Sequence, residues 1–366
     1  MYVSSSRPII NNSCITKTNR TIFHRKESSG DVFVRTLGTN ESVDFSVTKR
    51  DRKYKKELCK MMGLKNIPPI CLKSILGPDE LKDIIAKNNN NRSFYVTGER
   101  PEKYKHIPDS NNLENVRMKL FGASLHVHTS HSDGALDVSE VLEQAVGYAN
   151  EYAKVNGKPF VIGITDHNTV EGCKEAVRII ARNPQKYKNL RVLLGCEIST
   201  KENELNGYMF KKPEKYHILA MCINPFEKKL NDFLNALKEE SGTPMLVKTI
   251  TIEDAFNGIK HQDQCYFSLA HPGYPNIRRR IREDRDPYQV TEEAMTHFKD
   301  IVQGRGLYAE AYYSSYPGTI ALDEELHKII DKTCEKIGLY KAGGIDTHGE
   351  SIFYNGQSIK IKKNNK

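Results

Sequence analysis

The sequence predicts an α/β fold, with seven short strands in a parallel barrel or open sheet behind a small amino-terminal α+β region. The first observation is a change of character near residue 120. From there short apolar runs recur at 124–127, 160–165, 191–196, 217–222, 266–270, 307–311 and 339–343. The second is that helical patterns fall between several of them, at 138–154, 170–181 and 321–336. Strands that alternate with helices pair in parallel, because a crossover helix returns the chain to the starting edge. The third is that side chains able to ligate a metal gather at the carboxyl ends of these runs.

The amino-terminal third reads differently. Residues 1–30 are polar and lack periodicity, as expected of a flexible leader. They contain no apolar stretch or cleavage site of a secretory signal, although a leader read by a targeting receptor fits the same composition. Residues 31–110 form a small basic α+β region. Val32 to Val34 and Val43, Phe45 and Val47 alternate with polar residues around Gly38-Thr39-Asn40, predicting a hairpin over 31–48. Lys49 to Met62 favours a helix, and a second one is expected from Pro78 to Lys87, with proline and aspartate in its first turn. Pro108-Asp109-Ser110-Asn111-Asn112 punctuates a boundary before a domain over 120–352. Residues 224–264 exceed one crossover and read as an insertion between strands four and five, with helices at 227–240 and about 252–260. A basic tail, 353–366, follows.

Composition narrows the function classes. The chain has 366 residues, 38% hydrophobic and 28% charged, and no apolar run long enough to span a bilayer. The net charge of +9 belongs to residues 1–110, where 21 Lys and Arg face 12 Asp and Glu; subtracting these from the totals of 55 and 46 leaves 34 of each sign. That segment is either a solvated basic face or a site for an anionic macromolecule. The eight cysteines form no Cys-x-x-Cys pair. Free thiols in a reducing compartment, and so a cytoplasmic protein, are expected.

The chemistry is carried by the strand ends. His126 and His128 stand two apart in an extended segment, so both rings face one side. Asp133 follows in Ser132-Asp133-Gly134. The next strands end in Asp166-His167, in Cys196-Glu197, and in His271-Pro272-Gly273, while the fourth carries His217 and the seventh leads to Asp346-Thr347-His348. Taken singly, a His-x-His is weak, His217 would suit a core, and Asp346 would suit a turn. Together, six segments agree in position and residue type. Parallel α/β barrels bring these strand ends to one face, where active sites are built. Imidazole with carboxylate suits zinc, manganese or iron, and the absence of cysteine from the set argues against a closed structural zinc site.

With these motifs in their order, the chain resembles the polymerase and histidinol phosphatase (PHP) family over about residues 120–352. The matching stretches are 125–129, 132–134, 164–169, 195–199, 270–272 and 346–348. The resemblance implies a distorted seven-stranded, TIM-like barrel with two or three divalent ions. Its ligands here would be His126, His128, Asp133, His167, Glu197, His217, His271, Asp346 and His348. It also implies a phosphoesterase of the stand-alone branch, acting on nucleotide phosphates or other small phosphomonoesters; alternatives are 5′-to-3′ cleavage of short oligonucleotides and histidinol phosphatase activity. The amino-terminal third and the 224–264 insertion depart from the family pattern. A reading of another class makes the barrel a metal-holding scaffold beside a macromolecule-binding amino-terminal module.

Further residues are candidates around that centre. Asp166 is suited to orient His167, to act on a leaving group, or simply to cap a turn. His131, one residue off the ligand pattern, either contacts phosphate or has no role. Arg278, with Arg279, Arg280 and Arg282, matches phosphate oxygens through its planar fork or forms a solvated run. Tyr274, Tyr312 and Tyr313 either stack a ring or pack at the rim.

Overall fold

In the computed structural model the described residues are 48–63, 72–89, 122–238, 248, 250–273, 285–313, 324–344 and 346–352. All belong to one compact unit, Val43–Lys366. The expected 31–48 hairpin falls outside the described residues, as do the Arg278 run, Tyr274 and the side chains of Tyr312 and Tyr313.

Seven strands form one sheet in sequential order: β1 (Ala123–Ser124), β2 (Phe160–Ile164), β3 (Leu190–Leu205), β4 (Tyr208–Met221), β5 (Tyr266–Ala270), β6 (Gly306–Tyr313) and β7 (Tyr340–Gly344). A parallel bridge, Val127 to Thr347, joins the chain leaving β1 to the chain leaving β7 and closes the sheet into a barrel. Thr347 N–H donates to His126 O at 3.2 Å and His128 N–H to Thr347 O at 3.0 Å. The seam therefore runs between the His-x-His segment and the Asp346–His348 segment. β2 is buried along its whole length, as a barrel stave facing core on both sides should be.

Helices cover the barrel where amphipathic patterns placed them: α3 (Val138–Asn156), α4 (Glu171–Arg182), α5 (Lys228–Lys238), α6 (Ile252–Ile259) and, after β6, α8 (Glu324–Ile337). α3 begins at a capping box, with Asp137 accepting from Glu140 N and Glu140 from Asp137 N, and ends at Gly157 in the left-handed region. A helix not anticipated from the pattern, α7 (Pro287–Ile301), lies between β5 and β6. Its start was legible: Asp286 caps Tyr288 N and Pro287 occupies the first turn.

The expectation of parallel pairing throughout fails at β4, which runs antiparallel to both β3 and β5. The cause is local. Asn206 and Gly207 both adopt positive φ, 51° and 78°, the conformation of a two-residue hairpin turn. Such a turn reverses the chain without a crossover helix. β3 and β4 are consequently far longer than the expected 191–196 and 217–222, and their hairpin continues beyond the barrel on the site's side. Because β4 descends, the 224–264 excursion leaves and re-enters at the end where the parallel strands begin; its far turn reaches Lys201, whose N–H donates to Ile250 O at 2.8 Å.

The amino-terminal helices α1 (Lys49–Met61) and α2 (Pro78–Asn88) close that same end. Ile75 bridges Val192 at the start of β3, with Val192 N–H donating to Ser74 O at 2.7 Å and Leu76 N–H to Val192 O at 2.8 Å. Arg191 pairs with Glu80 at 2.8 Å, and Arg50 donates to Tyr266 Oη at 2.6 Å at the start of β5. Leu72, Ile75, Leu76 and Leu81 are fully buried, continuous with the barrel core. The six described cysteines are buried. Among the described residues no helix is long and apolar enough to cross a membrane.

Tyr54 Oη donates to Ile223 O at 2.7 Å, and both groups are buried. Tyr54→Phe should lower stability by about 1–3 kcal/mol, because the Ile223 carbonyl loses its buried donor. Chemical denaturation should show this as a lower midpoint with an unchanged slope.

Candidate metal centre

β3 carries Glu197 into the barrel mouth, where its carboxylate is fully buried. Three ring nitrogens lie 3.1 Å from its Oε2: His126 Nε2, His128 Nε2 and His167 Nδ1. Its Oε1 is 2.8 Å from His217 Nδ1 and 3.1 Å from His271 Nε2. Asp346 joins from beyond β7, with Oδ1 at 2.9 Å from His128 Nε2 and 3.3 Å from His126 Nε2. On the outer side His348 Nε2 is 3.2 Å from Asp133 Oδ2. The structure thus brings together all nine residues that the resemblance names.

Local backbone geometry supports this convergence. β-strand alternation puts His126 and His128 on one face. Asp346 and His271 hold φ of 55° and 30°, in the left-handed region that non-glycine residues seldom occupy outside functional sites. Each sits just past a strand, where the sharp change of direction turns the chain across the mouth.

The donor set fits divalent cations. Atoms bound at about 2.1 Å to one ion sit about 3.0–3.4 Å from each other in octahedral or tetrahedral arrangements. His126 Nε2 and His128 Nε2 are 3.1 Å apart, in the same range as their distances to Glu197 and Asp346. Glu197 Oε2 and His167 Nδ1 are buried without a hydrogen bond among the described residues, a costly condition unless an ion satisfies them. Three overlapping groups have donor atoms close enough to hold an ion: His128, Asp133, His167 and His348; His126, His128, Glu197 and Asp346; and His167, Glu197 and His217.

A buried second carboxylate, Glu310 of β6, was not among the residues singled out from sequence. Its Oε1 lies 2.9 Å from His126 Nδ1, and its Oε2 accepts from His271 N–H at 2.9 Å. A carboxylate behind an imidazole fixes the tautomer, leaving Nε2 free to bind a cation. A side chain at Gly344 would collide with this carboxylate, its Cβ coming 2.2 Å from Oε1. The available signal was one charged residue inside the otherwise apolar run Leu307 to Ala311.

The remaining candidates lie around the donors. Asp166 Oδ1 accepts from Thr129 N at 2.6 Å, Thr129 Oγ1 at 2.9 Å and Ser132 Oγ at 3.0 Å. It ties down the loop between His128 and Asp133, and Gly172 leaves room for its other oxygen. His131 is half-buried and its Nε2 is 2.7 Å from Glu175 Oε2, away from the donor cluster. Asn168 bridges strand ends, donating to Ser199 Oγ at 3.1 Å and accepting from Ser199 N at 2.9 Å.

The buried charges set the protonation. Burial opposes charging of His128, but Asp346 and Glu197 outweigh it and raise its pKa to about 10. His126 is likewise driven well above its ordinary value, against burial, by Glu197, Glu310 and Asp346. Burial pulls His167 down to about 3, helped by His128 and His217. Glu197 and Asp346 are held well below the carboxylate range despite burial, the first by His126, His167 and His217, the second by His126 and His348.

A cation entering at pH 7 must displace the His128 proton, so uptake of Mn²⁺ should release protons and affinity should rise from pH 6 to 9. Calorimetry in buffers of different ionisation enthalpy reads this directly. Sign follows from the same shift: without ions, the stabilisation from His128 is fully present below about pH 6.5 and fades as pH rises through about 10. Separately, Glu310→Gln should weaken metal affinity about 10–100-fold with the fold kept, as read by metal titration alongside circular dichroism.

No family model matches the chain, and no curated protein does. Among solved structures it is similar to an amidohydrolase from Chromobacterium violaceum with bound sulfate and no metal. The identity is 19% and the TM-score 0.45, over 64% of this chain and 90% of that one.

Proposed function

We propose that the chain is a metal-dependent phosphoesterase of the PHP kind, hydrolysing a nucleotide or another small phosphomonoester. The observation that supports this reading is the overlap, in one barrel mouth, of three groups able to hold a cation, from the buried Glu197 outward to the exposed Asp133. A phosphoryl group in transfer spreads negative charge over several oxygens, and more than one adjacent cation is suited to meet it.

In this reading His126, His128, Glu197 and Asp346 would hold one ion, while His128, Asp133, His167 and His348, and His167, Glu197 and His217, would provide for others. The groups share His128, His167 and Glu197, and the donor set as a whole would serve two or three ions. His271, beside Glu197 and Asp346, joins the inner set. Bound divalent ions supply a water acidified toward neutral pH and neutralise charge on the phosphate oxygens. The chain's own residues do the positioning. Glu310 orients His126 and the backbone of His271. Asp166 fixes the 129–133 loop and with it Asp133, which makes it a positioning residue. Arg278 is proposed to contact a phosphate oxygen, while His131, held at 2.7 Å by Glu175 away from the donors, takes no part in the reaction.

Full-length protein loaded with Mn²⁺ should release phosphate from an aryl phosphate and from nucleoside monophosphates. Chelation should abolish the activity, re-addition of Mn²⁺ should restore it, and His128→Ala should lower both metal content and rate by at least tenfold. Phosphate release that survives chelation, or a loaded protein that cleaves amides but no phosphate ester, would overturn the proposal.

A further inference from the structure

One step of the β2–β3 ladder is made by a side chain. The two strands pair regularly only as far as Ile164 opposite Leu194, and beyond that the chains meet in an isolated bridge between His167 and Glu197. Along this edge of β3, alternate residues donate their backbone N–H groups. Glu197 N donates to Asp166 O at 3.1 Å, and Lys201 N to Ile250 O at 2.8 Å. Between them, Ser199 N donates to the side chain of Asn168, at 2.9 Å from Oδ1. The same amide donates through Nδ2 to Ser199 Oγ at 3.1 Å. Asn168 is fully buried. Its φ of 49° lies in the left-handed region, which asparagine tolerates better than most residues. After Asn168 N–H donates to Glu197 O at 2.8 Å, the acceptor for the next ladder step thus comes from its side chain.

Every donor of one cation-holding group adjoins this clasp. His167 immediately precedes Asn168. Glu197 lies two residues before Ser199, on the same face of β3, and His217 stands directly opposite Ser199 in the β3–β4 ladder. Those residues are the group His167, Glu197 and His217. The other two groups have four members each, and in each all but one stand on segments that the clasp does not touch: His126, His128 and Asp346 in one, His128, Asp133 and His348 in the other. Tight binding requires ligands held within about 0.5 Å of their places. Glu197 Oε2 is 3.1 Å from His167 Nδ1 and its Oε1 2.8 Å from His217 Nδ1, so a slip of the β2 end along β3 would spoil this group first.

We propose that Asn168 is a positioning residue for one particular cation: its amide, clasped on Ser199, holds His167, Glu197 and His217 in register, and without it the ion of that group would be lost while the others are kept. The inference rests on the metal-binding part of the function proposed above and is independent of which ester is cleaved. It assigns Asn168 a role that the donors themselves cannot fill. They converge from β2, β3 and β4, and the clasp is what fixes the end of the first against the second.

The test equilibrates full-length protein with buffered free Mn²⁺, measures ion content by elemental analysis, and obtains stepwise affinities by competition with a chelator. Asn168→Gly accommodates the positive φ while removing the clasp. At a free Mn²⁺ concentration that fills the wild type it should hold one ion fewer per chain. That step should weaken about 10–100-fold, and the other steps by less. Asn168→Asp keeps an oxygen for Ser199 N–H and can accept from the Ser199 hydroxyl, so it should restore the lost ion. Ser199→Ala removes one of the two contacts and should weaken the same step about twofold to tenfold. Wild-type ion content in the glycine variant, or equal weakening of every step, overturns the proposal. Should the glycine variant misfold by circular dichroism, Ser199→Ala, at a half-buried position, decides alone, and an unchanged affinity there is equally decisive against the clasp. If the wild type takes up ions and the glycine variant one fewer, yet neither hydrolyses a phosphate ester, the clasp stands and the phosphoesterase reading falls. If the wild type takes up no Mn²⁺, the metal reading and the clasp fall together.

Discussion

A carboxylate buried in the mouth of the barrel governs this molecule. Glu197 is fully buried, and removing an ionised carboxylate from water costs several kcal/mol even after relaxation. Five imidazoles, those of His126, His128, His167, His217 and His271, surround its two oxygens within 3.1 Å. Neither the acid nor the bases make sense alone. Six of the seven strands, or the segments leaving them, supply either a donor or Glu310 behind one, and β3 supplies Glu197 itself. The closure of β1 onto β7 through Val127 and Thr347 then brings the first and last donors face to face. The segments that close the barrel are therefore the same ones that carry donors into the site.

Much of this was visible in the chain. The His-x-His at 126 and 128, the Asp-x-His at 346 and 348, and single donors at the ends of other apolar runs survive as local signals, because extended segments have a fixed two-residue period. What escaped notice depends on context or on direction. Glu310 looks like an ordinary polar residue in a strand until His126 is seen behind it. Asn206-Gly207 is a strong hairpin signal, yet the apolar pattern around 198–216 is interrupted by lysines and glutamates, which hides a long two-stranded arm. The arm is polar because one face of it meets the mouth while the other finds partners among α6 and α7. Asp286-Pro287 likewise announced α7.

The amino-terminal helices show how a basic, polar segment becomes part of a core. α1 has a strongly charged sequence, but Tyr54, Leu58 and Cys59 form a narrow buried stripe. Arg50, Lys55 and Arg191 are absorbed in contacts with Asp79, Glu80 and Tyr266. Net charge counted along the sequence therefore overstates what these helices offer to a partner. Their packing at the strand starts also leaves the opposite, donor-bearing end uncovered by them.

The reversed course of β4 separates two kinds of freedom. An ordinary crossover would have delivered a long connecting segment onto the reactive rim, where every change in its length would disturb the donors. Here both ends of the 224–264 excursion are anchored at the far end of the barrel, so it can lengthen, shorten or acquire new contacts at little cost to the chemistry. The base of the hairpin arm, by contrast, adjoins the reactive rim with no intervening loop. Divergence among descendants of such a chain would thus be expected to sort itself spatially: drift in the excursion, and adaptation in a few residues of the arm.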